Sequence, residues 1–488
     1  MNKKSIAMVG LSVLIALILV AGVVSAGFIT FRVLAGSDSP FTINESSSHG
    51  VITETETPVG SEIDLADLYA PFWETWDILH EFYVDQPLDD DKMMRGAQDA
   101  LLVFMEEAGI DPTSVNLPGD ALTVKELSQQ ANTPRELKNT FAPFWSTWQT
   151  LLYSSMDAET SYQSVMQTAL RGMIASLGDP HTAYMDPEEY RQINIPLEGE
   201  YEGIGAWVDP TGDYLTIISP MEGSPAETAG LLPGDVIIAV DGDDMTGISG
   251  DLVIRRVLGP AGSTVVLTIT RENESAPMDI PVIRARITIP SVEGEIIEGN
   301  IAYIQLYNFG ENTTIDLRIL LEELLAENPK GIILDLRNNG GGYLHTAINI
   351  TSEFINEGVA LYEEYGNGER ESKEIISGGL ATDIPMVVLV NEGSASASEI
   401  LAGAIQDYGR GVLVGVTTYG KGSVQLPKNL KNGRGALRVT IARWLTPNGR
   451  LIHGVGLEPD FIVEITEEDF NAQIDPQLDK AIELIQSY

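Results

Sequence analysis

Three serines, Ser394, Ser396 and Ser398, stand two residues apart in "NEGSASASEI" (391–400), ahead of a run that reads as a helix. A serine hydroxyl becomes a nucleophile when a neighbouring base takes its proton. It is also a common turn and cap residue, and Ser396-Ala397-Ser398-Glu399 is a capping-box sequence, so a purely structural role competes with the chemical one. The two roles are compatible, because a hydroxyl at a helix entrance lies beside free amides that can stabilise a developing oxyanion.

The base must come from a chain with five histidines and no cysteine. His181, His345 and His453 each sit in a glycine- or proline-rich turn and fit a structural role equally well. Lys421 is better placed by topology. It follows the strand that comes directly after the serine-bearing helix, and consecutive elements of this kind are neighbours in a sheet. A lysine acts as a base only when neutral, which requires burial to pull its pKa from about 10.4 toward roughly 7 or 8. Gly420 and Gly422 permit the close backbone packing that such burial needs, and Gln425, four residues on, is expected on the same strand face as an orienting partner.

The elements that must position these residues alternate strand and helix signals over the last two hundred residues. "NIAYIQLYNF" and "GIILDLRNNGGG" read as strands, "TTIDLRILLEELLAEN" as an amphipathic helix, and "PMVVLVNEGSASASEILAGAIQDYG" as strand, turn and helix. This βαβ order predicts an α/β core with its site at the loops after the strands' C-terminal ends. "GVTTYGK" (415–421) matches the start of a phosphate-binding loop, but Gly422 stands where Ser or Thr should hold magnesium and the chain continues as β, so nucleotide binding is excluded. Neither a G-x-S-x-G elbow nor H-E-x-x-H occurs.

Composition narrows the partners. With Lys+Arg 29 against Asp+Glu 71, the net charge of -42 argues against nucleic acid, whose phosphates need a basic surface. At the N-terminus, Lys3 and Lys4 precede an uncharged run from Ser5 to Phe31, long enough to cross a bilayer with the rest of the chain outside the cytoplasm. Removal as a signal at Val24-Ser25-Ala26 is the alternative. A Ser-, Thr- and Glu-rich tether follows, over 36–66. Then "APFWETWDIL" (70–79) returns as "APFWSTWQTL" (142–151), an ungapped offset of 72 residues that marks a duplicated two-helix unit. Only the second copy runs into "SLGDPHTAYMDPEEY", so the first copy (67–139) is expected as an added layer, docking a partner or supporting a homo-oligomer, and 140–198 as the helical start of the functional body.

Between 199 and 285, "YEGIGAW" and "SPAETAGLLPGDVIIAVDG" combine a glycine loop, a short helix and a buried strand in a pattern that resembles a PDZ domain. That resemblance implies a loop at Gly203, Ile204, Gly205 and Ala206 whose amides face a peptide's terminal carboxylate while the peptide adds as a strand. PDZ domains attached to proteases often carry Arg before the Gly-Pro turn, whereas Leu258 precedes Gly259-Pro260 here.

The set "GSASASEI", "GKGSVQ", "DLRNNGGG", "GDPHTAYMDPEEY" and "TPNGRLIHGVGLEPD" resembles the carboxyl-terminal processing peptidases, the tail-specific serine proteases of family S41, from about residue 142 to the end. The resemblance implies a ClpP/crotonase-like Ser-Lys protease core over 286–488, with Ser396 as nucleophile, Lys421 as general base and Gln425 orienting it. It implies oxyanion amides from Ala397 and from Gly341, although Gly340 replaces the family's usual proline in that turn. It implies no metal, nucleotide or other cofactor, and substrates that are proteins or peptides with accessible C-termini. A non-catalytic PDZ scaffold on a degenerate protease fold is the rival reading.

Overall fold

The computed structural model describes residues 63–488 except 114, 155–160 and 273. The expected membrane segment and most of the tether lie outside the described residues, among which no helix is long and apolar enough to cross a membrane.

The α/β core is built on a six-stranded sheet in the order Val292–Ile297, Ile301–Leu306, Ile332–Asp335, Met386–Val390, Val412–Gly415, Phe461–Ile462. The first pair is antiparallel and every later pair parallel. Runs such as "IILD" and "MVVLV" are apolar at nearly every position because both sheet faces are covered. Ile332, Leu334, Met386 and Val388 pack under the helices Thr313–Ala326, Leu344–Phe354 and Ala397–Asp407. Ile333, Val387 and Leu389 face the C-terminal helix Pro476–Ser487 on the other side.

A second, antiparallel sheet joins Ala183–Met185, Ala436–Leu445, Val359–Tyr365 and Arg370–Glu374, with Ser423–Asn429 hairpinned onto Ala436–Leu445. Residues 206–283 form a separate β-rich body with its own core of Ile217, Ile237, Val265, Leu267 and Val253. Its sheet runs Ala206–Asp209, Leu215–Pro220, Val236–Val240, Thr264–Thr270, Met278–Ile283, leaving Ala206–Asp209 at an edge.

The repeat is visible as two helix pairs, Leu65–Phe82 with Asp90–Glu107 and Ala142–Leu152 with Tyr162–Ala175. Even the caps correspond: Asp89 accepts from the Lys92 amide, and Ser161, at the 72-residue offset, from the Ser164 amide. The copies pack on one another reciprocally. Phe72 stacks on its counterpart Phe144, Trp73 meets Phe141 at 5.1 Å, and Trp145 meets Tyr69 at 4.8 Å. A Cβ on Gly172 would lie 2.4 Å from the Cβ of its own counterpart, Ala100. Contacts between a residue and its own equivalent are the mark of a two-fold arrangement.

This corrects the expectation of an added outer layer. The first copy shares one hydrophobic core with the second, and it reaches the second sheet directly: the Val84 amide donates to Thr440 O at 2.9 Å, and the Lys428 ammonium lies 3.7 Å above the Phe82 ring. Arg443 pairs with Asp85, and Arg434 with Asp67. Of the repeated aromatic rings, Phe72, Trp73, Phe144, Trp145 and Trp148 are buried between the copies, while Trp76 is only partly buried and donates to Asp90 Oδ1.

Candidate active site

Two parallel neighbours, Met386–Val390 and Val412–Gly415, deliver the nucleophile loop and the lysine loop to the same end of the sheet. The strand before Lys421 is thus beside the strand before Ser396, as the topological argument requires. No helix follows Gly415, so the phosphate-loop geometry is absent among the described residues.

The three serines separate by environment. Ser394 and Ser398 are fully buried, and their hydroxyls donate to Leu336 O at 2.8 Å and Asn339 O at 2.7 Å, tying the nucleophile loop to the glycine turn. Ser396 stays partly exposed at the start of Ala397–Asp407, with φ 57° and ψ -113°. An ordinary N-cap residue is in the β region. This left-handed outlier at a non-glycine residue is instead the kind of backbone strain that concentrates where a side chain must be thrust out for chemistry.

Glu399, read from sequence only as a capping partner, proves to be the hub of the corner. It is fully buried, and its Oε2 accepts from the amides of Ser396 (2.8 Å) and Lys421 (2.9 Å). Its Oε1 accepts from Thr418 Oγ1 (2.6 Å) and the Gly420 amide (2.7 Å). One carboxylate therefore fixes the backbones of both candidate catalytic residues. Burial pushes its pKa up, and these hydrogen bonds pull against that shift. The signal was present in the Ser-x-x-Glu spacing, but its second set of partners lies some twenty residues away in sequence.

Around Lys421, a Cβ on Gly420 would lie 2.8 Å from Gly456 N, and one on Gly422 would lie 2.7 Å from His453 N. The flanking glycines do let the 453–456 turn close over the lysine, and Trp444 Nε1 donates to Lys421 O at 2.9 Å. Desolvation, reinforced by the Arg438 charge and opposed by Glu399 and Asp179, lowers the Lys421 pKa to about 8. His181 is driven to about 4, first by desolvation and then by Lys421, which makes it a poor base at neutral pH. His345 stacks on Tyr343, with ring centroids 5.4 Å apart.

Two expectations are corrected by geometry. Gln425 does not share a strand face with Lys421 by simple alternation, because the strand begins at Ser423 and a register shift falls between Val424 and Gln425. Its amide donates to Ser423 Oγ at 2.8 Å. Gly341 lies against Ser396: a Cβ there would be 2.9 Å from both Ser396 Cβ and Ala397 N. Its own amide, however, donates to Asn339 Oδ1 at 2.9 Å, so in this structure it is not turned to an oxyanion.

At the predicted PDZ loop, Gly203 ends the strand Glu200–Gly203, Ile204 is buried, Gly205 has φ +73°, and Ala206 opens the edge strand. Beside it, Ala206 and Val208 of that strand and Ile254, Val257 and Leu258 of the helix side line an apolar groove of about 180 Å³. Beside the Gly259 turn, buried Arg284 donates to the carbonyls of Val257 (2.7 Å) and Arg256 (3.0 Å).

The family model "Peptidase family S41" matches residues 300–463, and "PDZ domain" matches 216–271. A carboxy-terminal-processing protease of Bartonella bacilliformis is 38% identical over 311 residues, covering 62% of this chain and 70% of its own. A carboxyl-terminal-processing protease of Synechocystis is 37% identical over 327 residues, covering 65% and 76%. A solved photosystem II D1 C-terminal processing protease is 26% identical, with 82% of this chain and 93% of that one covered at a TM-score of 0.45. The chain belongs to peptidase family S41, and it is a serine-type endopeptidase of the carboxyl-terminal processing kind, carrying a PDZ domain.

Proposed function

We propose that this protease works outside the cytoplasm, takes a protein's C-terminus in its PDZ groove and hydrolyses peptide bonds with Ser396 and Lys421. The observation that carries the catalytic assignment is the shared tether: Glu399 Oε2 accepts from the amides of both residues, one in a strained nucleophile conformation and the other with its pKa lowered to about 8. Neutral Lys421 takes the Ser396 hydroxyl proton as Oγ attacks the scissile carbonyl carbon. The Ala397 amide, with a glycine-turn amide, meets the oxyanion. The Lys421 ammonium then gives its proton to the leaving amine. Water, deprotonated by the same lysine, hydrolyses the acyl ester and restores Ser396. On the family resemblance, Gln425 orients the lysine and the Gly341 amide joins Ala397 at the oxyanion.

Capture of a C-terminus is supported by the open edge of Ala206–Asp209 beside the apolar groove, where an extended peptide can pair as a further strand. The parallel βαβ core fits a ClpP/crotonase-like architecture. The basic residues Lys3 and Lys4 before the uncharged run support a membrane-tethered protein with its body outside. Digestion of an unfolded test protein by the parent, and its loss in folded Ser396→Ala and Lys421→Ala variants, is the expected result. Activity persisting in Ser396→Ala would refute the nucleophile assignment.

A further inference from the structure

The turn "GDPHT" (178–182) has no part in the chemistry above, yet its hydrogen bonds lead to Gln425. Asp179 is partly buried; its Oδ1 accepts from the His181 amide at 2.9 Å and its Oδ2 from Thr182 Oγ1 at 2.6 Å. Thr182 is buried, accepts from the Thr440 amide at 3.1 Å, and has its Oγ1 3.3 Å from Thr440 Oγ1. Thr440 stands directly across the hairpin from Gln425, put there by the register shift after Val424. The Gln425 Nε2 donates to Thr440 Oγ1 at 3.5 Å and to Ser423 Oγ at 2.8 Å, so both of its N–H groups are directed at hydroxyls. Thr440 O accepts from the Val84 amide at 2.9 Å, so the first helical copy braces the same residue.

A hydroxyl has one proton and can pass a chain of hydrogen bonds in either direction, whereas an ionised carboxylate only accepts. Burial pushes the Asp179 pKa up, but its hydrogen bonds outweigh that and hold it below the ordinary carboxylate value, so it is ionised at neutral pH. Thr182 therefore spends its proton on Asp179 and accepts from Thr440, which in turn accepts from Gln425. On the reading that Ser396 and Lys421 are the catalytic pair with Gln425 beside the lysine, we infer that Asp179 is a positioning residue of this site. Through Thr182 and Thr440 it fixes which end of the Gln425 amide faces Lys421. With its NH₂ end committed to hydroxyls, Gln425 presents Oε1, which takes an N–H of the neutral amine and leaves the lone pair for the Ser396 proton. A flipped amide would instead donate to that lone pair and block the base.

Asp179→Asn reverses the chain with almost no change of shape. The His181 amide can only donate, so it keeps the Asn carbonyl oxygen, and the Asn NH₂ is left facing Thr182. The test measures single-turnover cleavage of an unfolded protein, above the pH limb near 8, by the full-length parent, Asp179→Asn, Thr440→Val, Gln425→Ala and the two doubles with Gln425→Ala. Asp179→Asn is expected to lower the rate about tenfold, the worth of one misdirected hydrogen bond. Thr440→Val is expected to lower it severalfold, since the amide is then free to take either orientation. Neither double should be slower than Gln425→Ala alone, as for groups acting in series. Thr440→Val cuts the chain while leaving the Asp179 charge in place, and it decides alone if Asp179→Asn does not fold. Losses that multiply in the doubles would mean that these residues only support the fold, and would overturn the inference. A full rate in either single variant overturns it too; with the limb moved to lower pH in Asp179→Asn, the carboxylate would act on Lys421 by charge alone. A Gln425→Ala enzyme as fast as the parent overturns the Gln425 assignment and the inference with it.

Discussion

On the proposed reading, the catalytic corner and the PDZ groove face the same physical problem, since each must offer backbone amides to an oxygen anion that arrives only with substrate. In the corner, the Gly341 amide meanwhile donates to Asn339 Oδ1. Their frameworks differ. The corner is nailed down by a buried charge, Glu399, with four hydrogen bonds spanning two loops. The groove is walled by aliphatic side chains of a strand and a helix. Catalysis requires groups held to a fraction of an ångström, which justifies a buried carboxylate whose desolvation is offset only by complete hydrogen bonding. Recognition of varied C-termini requires contacts that can be exchanged, and dispersion against apolar walls tolerates that.

That contrast can be broken at graded points. The largest effect is expected from Ser396→Ala or Lys421→Ala, each lowering kcat by roughly 10⁴-fold or more, because residues acting as one unit fail together. Single-turnover cleavage of an unfolded protein measures it. Next, Gly341→Ala should lower kcat roughly 10²- to 10³-fold, since φ is +102° and the new Cβ would collide with Ala395 O at 2.8 Å. The matched change in the groove, Gly205→Ala (φ +73°, 2.6 Å from Ser224 Cβ), should instead weaken peptide binding, read by anisotropy. If both changes damaged the same parameter, the division of labour would fall.

Glu399→Gln should lower kcat about 10²-fold, because its NH₂ group would face the amides that the carboxylate now accepts. It also removes a charge that raises the Lys421 pKa. The active form is neutral lysine, so kcat/KM of the parent should rise with pH through about 8 and then level, and Glu399→Gln should move that limb to lower pH. The smallest effect is for Arg438→Gln, which removes a charge that lowers the Lys421 pKa and should move the limb upward. A limb that stays in place in both variants would argue that another group is the base.

Much of this corner was legible in the residues. Strand-turn-helix order placed Ser396 and Lys421 in the loops after two adjacent parallel strands, and the glycines around Lys421 announced a close approach. Glu399 was legible only by half, as a local capping partner, because its bonds to Thr418, Gly420 and Lys421 come from a loop brought back by the sheet. Gln425 was misplaced because alternation assumes an unbroken strand, and a bulge carries no strong composition signal. The repeat was plain as a 72-residue offset, yet its packing was not, since two amphipathic helix pairs can stack outward or face each other. They face each other, with Phe72 on Phe144, and together carry the hairpin that holds Gln425.

By itself, the sequence determined the kind of chemistry and its parts: residue types, spacings and periodicities specified a βαβ core, a glycine-loop groove, a duplicated helical unit and the short set of residues able to act. Long-range packing settled which of the three serines stands strained and partly exposed, and that one carboxylate, Glu399, accepts from the amides of both Ser396 and Lys421. The physical reason is range. Local propensity and pattern act over a few residues, whereas desolvation, backbone strain and hydrogen-bond saturation depend on neighbours that only long-range packing supplies.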